Sequence, residues 1–297
     1  MSKRGTWLIV AASLMVLGMV MMVLAAHSVN WDFEGYATTV YNGVDSEFDS
    51  ISIGTDTADI EFLPSDNGAC RVICYESEKV WHEVSVVDGA LIVIVVDERE
   101  WYERISIGFR TPRLTIYLPK SEYDLLVIRE HTGDVEMPKD FTFGRVDIMV
   151  STGDVRWSAA VTDSAVIKTN TGDICVEDTT VESLDLTVNT GDVYLNDVWC
   201  QGLTSSGDTG DISLKNVTVE GRLWIGRSTG DVKLEECDAA EIFVRTDTGD
   251  IKGSLLTDKT FSVQTDTGKV RVPKNTEGGR CELITDTGNI SIRIGEE

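Results

Sequence analysis

The chain has 297 residues, with 26 Lys and Arg against 50 Asp and Glu, a formal net charge of −24. That sign is opposite to what phosphate contacts need, so nucleic acid is excluded as the default partner. Apolar residues make up 42%, enough to build a core, and the 26 Gly with only 5 Pro and 7% aromatics point to a turn-rich β protein rather than a disordered chain.

At the N-terminus, Lys3 and Arg4 precede an uncharged run from Thr6 to Ala26. At about 1.5 Å per helical residue the run matches a hydrocarbon core of roughly 30 Å. Basic residues before it and Asp32 after it predict an N-terminus inside and the rest outside. A signal peptide cut after Ala25 or Ala26 competes with a retained signal anchor. The run exceeds the roughly 7–15 apolar residues of a signal-peptide core, which favours the anchor. Residues 1–27 are therefore expected to be a cytoplasmic tip and one transmembrane helix, with 28–45 as linker. The expected location is the cell membrane, single-pass, with the bulk of the chain extracytoplasmic and the membrane itself a partner through that helix.

Residues 46–125 are expected to form an N-terminal β section that caps a repeat. Ile51, Ile53, Thr57, Ala58, Asp59, Ile60 and Phe62 fit the repeat columns below, with Ala58 in place of Gly. Strands are predicted at Cys70–Tyr75, Val84–Val87, Leu91–Val96, Ile105–Phe109 and Leu114–Leu118, with Asp88-Gly89 as a hairpin turn.

From 126 to 297 a Thr-Gly pair recurs at Gly133, Gly153, Gly172, Gly191, Gly210, Gly230, Gly249, Gly268 and Gly288, every 19 or 20 residues. Asp follows the glycine seven times, then Lys269 and Asn289. Counting each glycine as zero, positions −7, −5, +2 and +4 are mainly apolar and their neighbours mainly polar, the period of half-buried strands. Each unit then reads as strand, T-G-D corner, strand and a looser connection. Glycine permits positive φ at the corner, Asp bonds the turn backbone, and the Thr at −1 is expected to point inward. So short a unit cannot bury its own apolar face, but stacked units can. The predicted fold is all-β, a parallel β-solenoid with rungs about 4.8 Å apart. Rungs stacked in chain order would set Lys269 between Asp250 and Asn289. Arg293, Glu296 and Glu297 would then guard the last edge.

Several segments in this order resemble a bacterial putative-adhesin family, a β-strand-repeat domain of unknown function. They are Ala58-Asp59-Ile60-Glu61-Phe62-Leu63-Pro64, Asp88-Gly89-Ala90-Leu91-Ile92-Val93 and Leu114-Thr115-Ile116-Tyr117-Leu118-Pro119-Lys120, then Tyr123-Asp124-Leu125-Leu126 and the first T-G-D turn. The resemblance covers about residues 46–297. It implies an envelope protein with a solenoid-like fold, often tethered by one N-terminal helix, and transfers no catalytic residue.

The Asp column raises the question of charge. Stacked carboxylates about 5 Å apart repel by roughly 1 kcal/mol in a watery dielectric, so backbone N–H groups or a cation must absorb this. Asp208, Asp211, Asp247 and Asp250 form a candidate weak Ca²⁺ site by their oxygen chemistry, although the G-G-x-G-x-D calcium repeat is absent. No other cofactor is expected. Cys70, Cys74, Cys175, Cys200, Cys237 and Cys281 contain no C-x-x-C pair and read as free, mostly buried thiols. His27, His82 and His131 show no ligand spacing and read as solvated or interfacial.

Gly226-Arg227-Ser228-Thr229-Gly230 matches a nucleophile elbow, but no His follows it and it falls on a repeat corner. Arg227 is inward and breaks the pattern with Ser205 and Gly207. It is expected to snorkel or to pair with an acid. Trp224 and Phe243 face outward on adjacent rungs, either as a binding surface for sugars or protein or beneath a connecting loop. The expected function is a non-catalytic, membrane-anchored envelope module that binds, scaffolds or senses, with envelope polysaccharide or another envelope protein as partner. The alternative is a carbohydrate-active enzyme, a polysaccharide lyase or hydrolase on a β-helix.

Overall fold

A computed structural model describes residues 15, 37–42, 47–100, 112–274 and 277–295. The chain divides into two compact units, Met1–Ala37 and Thr38–Glu297. The expected membrane segment Thr6–Ala26 and the strand expected at Ile105–Phe109 lie outside the described residues. Among the described residues no helix is long and apolar enough to cross a membrane.

The second unit is the predicted all-β solenoid. Its strands join into one sheet. Equivalent columns stack in parallel register: Ile174, Val193, Ile212 and Val232 on one wall, and Leu184, Leu203, Leu223 and Ile242 on another. Each stacked residue is at most 1% exposed. One strand, Ile174–Thr190, carries almost a whole turn of the coil, with Ile174, Val176, Thr179, Val181, Leu184, Leu186 and Val188 facing in. It bends at Asp178, where φ is 50°. Asp197, Asn216 and Glu236 repeat this left-handed corner at the same offset, +6. The connection read as loose is therefore a second ordered corner, built on residues that tolerate positive φ.

The T-G corner differs from expectation in one respect. The Thr at −1 is exposed in all nine units. The inward hydroxyls belong to position −3, where Thr169, Thr246, Thr285 and Thr265 donate to the carbonyls of Gly153, Gly230, Gly249 and Gly288 at 3.0–3.2 Å. The glycine is required twice over. Apart from Gly268, the corner glycines hold φ between 132° and 159°. A Cβ at any of them would also overlap the carbonyl oxygen of the corner on the neighbouring rung.

The stack does not follow chain order at either end. Gly279–Thr287 pairs with Val232–Thr248 on one side and Lys259–Thr267 on the other. Ile290–Ile294 lies likewise between Ile251–Leu255 and Val270–Arg271. The last rung in sequence is thus inside, and the Gly268 rung forms the end. At the other end Ser50–Thr57 lies between Ala90–Asp97 and Glu122–Thr132. This corrects two expectations. Asn289, not Lys269, follows Asp250, and the last rung with Arg293 is not the free edge. The side chains explain the order: Asn289 can both donate and accept, whereas Lys269 offers no acceptor and suits an end position.

The cap is partly antiparallel. Val80–Val87 and Ala90–Asp97 form a hairpin through Asp88 and Gly89, whose φ values of 50° and 77° are those of the expected tight turn. Arg71–Glu76 runs antiparallel to Arg113–Leu118. Beneath the cap, the rings of Phe48, Tyr123 and Phe143 stack in sequence and Trp157 meets Phe143 at a tilt, with centroids 5.7–5.8 Å apart.

Candidate functional site

The Asp column resolves into a hydrogen-bonded ladder. Oδ1 of Asp134, Asp154, Asp173, Asp192, Asp211 and Asp231 each accepts the backbone N–H of the next rung's Asp at 2.7–2.9 Å. Asp250 then accepts from the Asn289 backbone and side chain, and Asn289 accepts from the Lys269 N–H. Backbone dipoles thus offset the carboxylate repulsion.

The four residues of the candidate Ca²⁺ site do not meet at one corner. The Gly230 rung separates Asp208 and Asp211 from Asp247 and Asp250. Two rung spacings are about 10 Å, beyond the span of ligands held at about 2.3–2.6 Å from one ion. Asp211 and Asp250 also already accept backbone amides.

Trp224 and Phe243 are in register as expected. Trp224 is 39% exposed and its indole lies over Gly226. Phe243 is half-buried under guanidinium groups, with Arg222 at 5.2 Å and Arg280 at 5.1 Å from its ring centroid. Among the described residues, two arginine side chains lie over this ring. Glu282 is its direct neighbour, a consequence of the altered stack order.

Arg227 neither snorkels nor pairs with an acid. It is 4% exposed, and Nη1 donates to the Val188 carbonyl, two rungs away, at 2.8 Å. Nε and Nη2 have no partner among the described residues. The guanidinium fills the space left free at Gly207, so two of the three pattern breaks are one packing feature. Burial lowers the Arg227 pKa, opposed by Asp192 and Asp208. The nucleophile-elbow match shows no strand–turn–helix; it lies within the strand Ile212–Thr229 and its corner.

A shallow, open groove of about 320 Å³ lies along the second corner, lined by Asp178, Thr180, Asp197, Trp199, Asn216 and Thr218 among others. Trp199 is 37% exposed and stands in register between Thr180 and Thr218. The side-chain amides of Asn196 and Asn216 donate to the two carboxylate oxygens of Asp197. An indole face flanked by hydroxyls, amides and a carboxylate is chemistry suited to a sugar ring. The sequence signal for it was the Asp or Asn at +6 with an aromatic two residues on.

In the cap, Cys74, Glu76 and His82 converge, all buried, with ligand atoms within 4.8 Å of one another. It is the one such grouping among the described residues. Glu76 Oε1 accepts from the His82 backbone N–H at 2.6 Å and lies 3.2 Å from His82 Nδ1. The Tyr41 hydroxyl donates to the His82 carbonyl at 2.7 Å. Burial lowers the His82 pKa, and burial together with Glu76 pushes the Tyr41 phenol up to about 12. His82 is therefore neither solvated nor interfacial, unlike His131, which stays exposed near Asp56. The six cysteines are free, and all but Cys175 are buried.

Among curated proteins, none matches the chain. Comparison with solved structures finds similar chains, three of them to the following degrees. A putative adhesin from Bacteroides fragilis NCTC 9343 is 19% identical, covers 88% of this chain and 98% of its own, and gives a TM-score of 0.47. A putative cell adhesion protein from Clostridium sporogenes ATCC 15579 is 10% identical over 88% of this chain and 100% of its own, TM-score 0.26. A putative lipid binding protein from Parabacteroides distasonis ATCC 8503 is 14% identical over 89% of this chain and 98% of its own, TM-score 0.36. The Toastrack DUF4097 family model matches residues 48–293, spanning the cap and every T-G corner, and the chain belongs to that family.

Proposed function

We propose that the chain is a non-catalytic, adhesin-like binding module of the cell envelope, tethered by its N-terminal apolar run, and that its ligand is a glycan. The observation that carries this is the shallow Trp199 groove, where an exposed indole stands in register between Thr180 and Thr218. Sugars stack a C–H face on such a ring and hydrogen-bond through their hydroxyls. The same cleft argues against hydrolysis. Both oxygens of Asp197 accept side-chain amide hydrogens from Asn196 and Asn216, which fixes that carboxylate as part of the wall. The repeat also continues unbroken through it. The net charge of −24 favours neutral or cationic polymers over anionic ones.

The test is a panel of envelope oligosaccharides offered to the full-length protein in detergent micelles. Binding that falls at least tenfold in Trp199→Ala, with no new reducing ends released, supports this function. Binding unchanged by that substitution, or clear turnover, overturns it.

A further inference from the structure

We propose that Cys74 Sγ, Glu76 Oε1 and His82 Nδ1 form a binding site for a zinc-class transition metal in the N-terminal cap. The three residues come from one short stretch, Cys-x-Glu-x₅-His, folded back on itself. Cys74 and Glu76 alternate inward along Arg71–Glu76, and the turn that starts with the Ser77–Val80 bridge returns the chain so that His82 faces them. Cys74 is 0%, His82 4% and Glu76 6% exposed. A thiol, an imidazole and a carboxylate gathered in one buried spot are the ligand types of Zn²⁺, and a hard cation such as Ca²⁺ would not select the sulfur.

The distances suit a tetrahedral ion. Zn–N and Zn–O bonds near 2.0–2.1 Å at the tetrahedral angle put N and O about 3.3 Å apart. His82 Nδ1 and Glu76 Oε1 are 3.2 Å apart. The sulfur needs about 3.6 Å to either by the same arithmetic. All the ligand atoms lie within 4.8 Å of one another, about 1 Å beyond the separation that a shared ion requires.

The surroundings fit as well. The Thr55 hydroxyl lies 3.5 Å from His82 Nε2. When Nδ1 takes the metal, its proton is carried at Nε2 instead, and Nε2–H donates to Thr55, the usual second contact of a ligating histidine. The Cys74 thiol proton leaves to solvent as the thiolate forms. The Tyr41 hydroxyl donates to Glu76 Oε1 at 3.4 Å and so contacts the ligand set from outside it. Glu78 and Lys79, in the turn that joins Glu76 to His82, are exposed, so the cluster lies beneath a surface turn. The metal would pin the outer hairpin of the cap, independently of the Trp199 cleft.

The test uses the full-length protein, reduced and metal-free, titrated with Co²⁺ and followed by visible absorption. A thiolate-to-cobalt charge-transfer band saturating at one ion per chain, bleached by Zn²⁺, is expected. Cys74→Ser should abolish the band, His82→Gln should weaken Co²⁺ binding at least about 100-fold, and Cys200→Ser, at another buried thiol, should leave the band intact. Circular dichroism checks that each variant is folded. If Cys74→Ser does not fold, zinc retained by the dialysed wild type decides: near one per chain supports the site and near zero overturns it. No band in the wild type, or a band that survives in folded Cys74→Ser, also overturns it.

Discussion

The Arg227 guanidinium occupies the space in which a side chain at Gly207 would lie, one rung away, and reaches past it to the Val188 carbonyl. A buried charge with two unpartnered nitrogens costs several kcal/mol that one hydrogen bond does not repay. Arg227→Met should therefore be neutral or stabilising by about 1–4 kcal/mol. Gly207→Ala should destabilise by about 2 kcal/mol or more, because its methyl would strike both the guanidinium and the Val188 carbonyl. Urea unfolding of both variants checks this, and a large loss of stability in Arg227→Met would contradict it.

The Asp ladder works through acceptors rather than charge. Asp173 Oδ1 accepts the Asp192 N–H at 2.8 Å. Asp173→Ala orphans that amide and should cost about 1–3 kcal/mol. Asp173→Asn keeps an acceptor, sheds one charge from the column and should cost under about 1 kcal/mol. Equal losses in the two variants, measured at the same salt, would mean that the carboxylate charge itself is needed.

Glu130 occupies position −3 of the Gly133 rung, 3% exposed, with Oε2 unpartnered among the described residues. Burial pushes its pKa up to about 8; hydrogen bonds from Thr132 and Ala58 oppose the rise and Asp56 adds to it. A carboxyl raised on folding holds its proton more tightly in the native state. Its contribution is therefore complete below the unfolded pKa of about 4.5 and is lost as pH climbs to about 8. The slope for one proton is about 1.4 kcal/mol per pH unit. Glu130→Gln should remove that slope from the stability–pH curve, and an unchanged curve would show that Glu130 titrates normally.

The threading at the C-terminal end can be tested by cross-linking. Lys252 and Ser291 are in register on adjacent strands and both exposed. Strand partners lie about 4.8 Å apart, within the range a disulfide spans. Lys252→Cys with Ser291→Cys should oxidise to an intramolecular bridge, detected by a mobility shift that reductant reverses. Stacking in chain order would leave these positions two rungs apart and give no bridge.

Much of this architecture was legible in the sequence because a solenoid writes its geometry as a period. The columns at −7, −5, +2 and +4 name the core, and the glycine column marks the corner. What a period cannot show is where it is interrupted in space. The insertion of the Gly288 rung beneath Gly268 keeps the spacing unchanged, and only the pairing of Asn289 with Asp250 hints at it. The Thr column misled because a strand's alternation continues only while the backbone stays extended; at −2 and −1 both side chains face solvent as the chain turns into the glycine. The two candidate sites were missed for different reasons. Trp199 lies on the stretch read as loose connection, and the Cys74, Glu76 and His82 cluster is made by a hairpin that brings together residues of three different types. Trp224 and Phe243 stand in register, as the period implies, but the Arg222 and Arg280 side chains that cover Phe243 come from other strands.

The most direct measurement is on the Trp199 indole N–H in a two-dimensional NMR titration, assigned by Trp199→Phe, with a bound oligosaccharide and product chromatography on the same sample. A glycan-binding cleft predicts that the Trp199 signal shifts saturably, that of Trp224 stays, and the oligosaccharide is recovered intact. A Trp199 signal that does not move while the sugar binds, or an oligosaccharide that is cleaved, would contradict it.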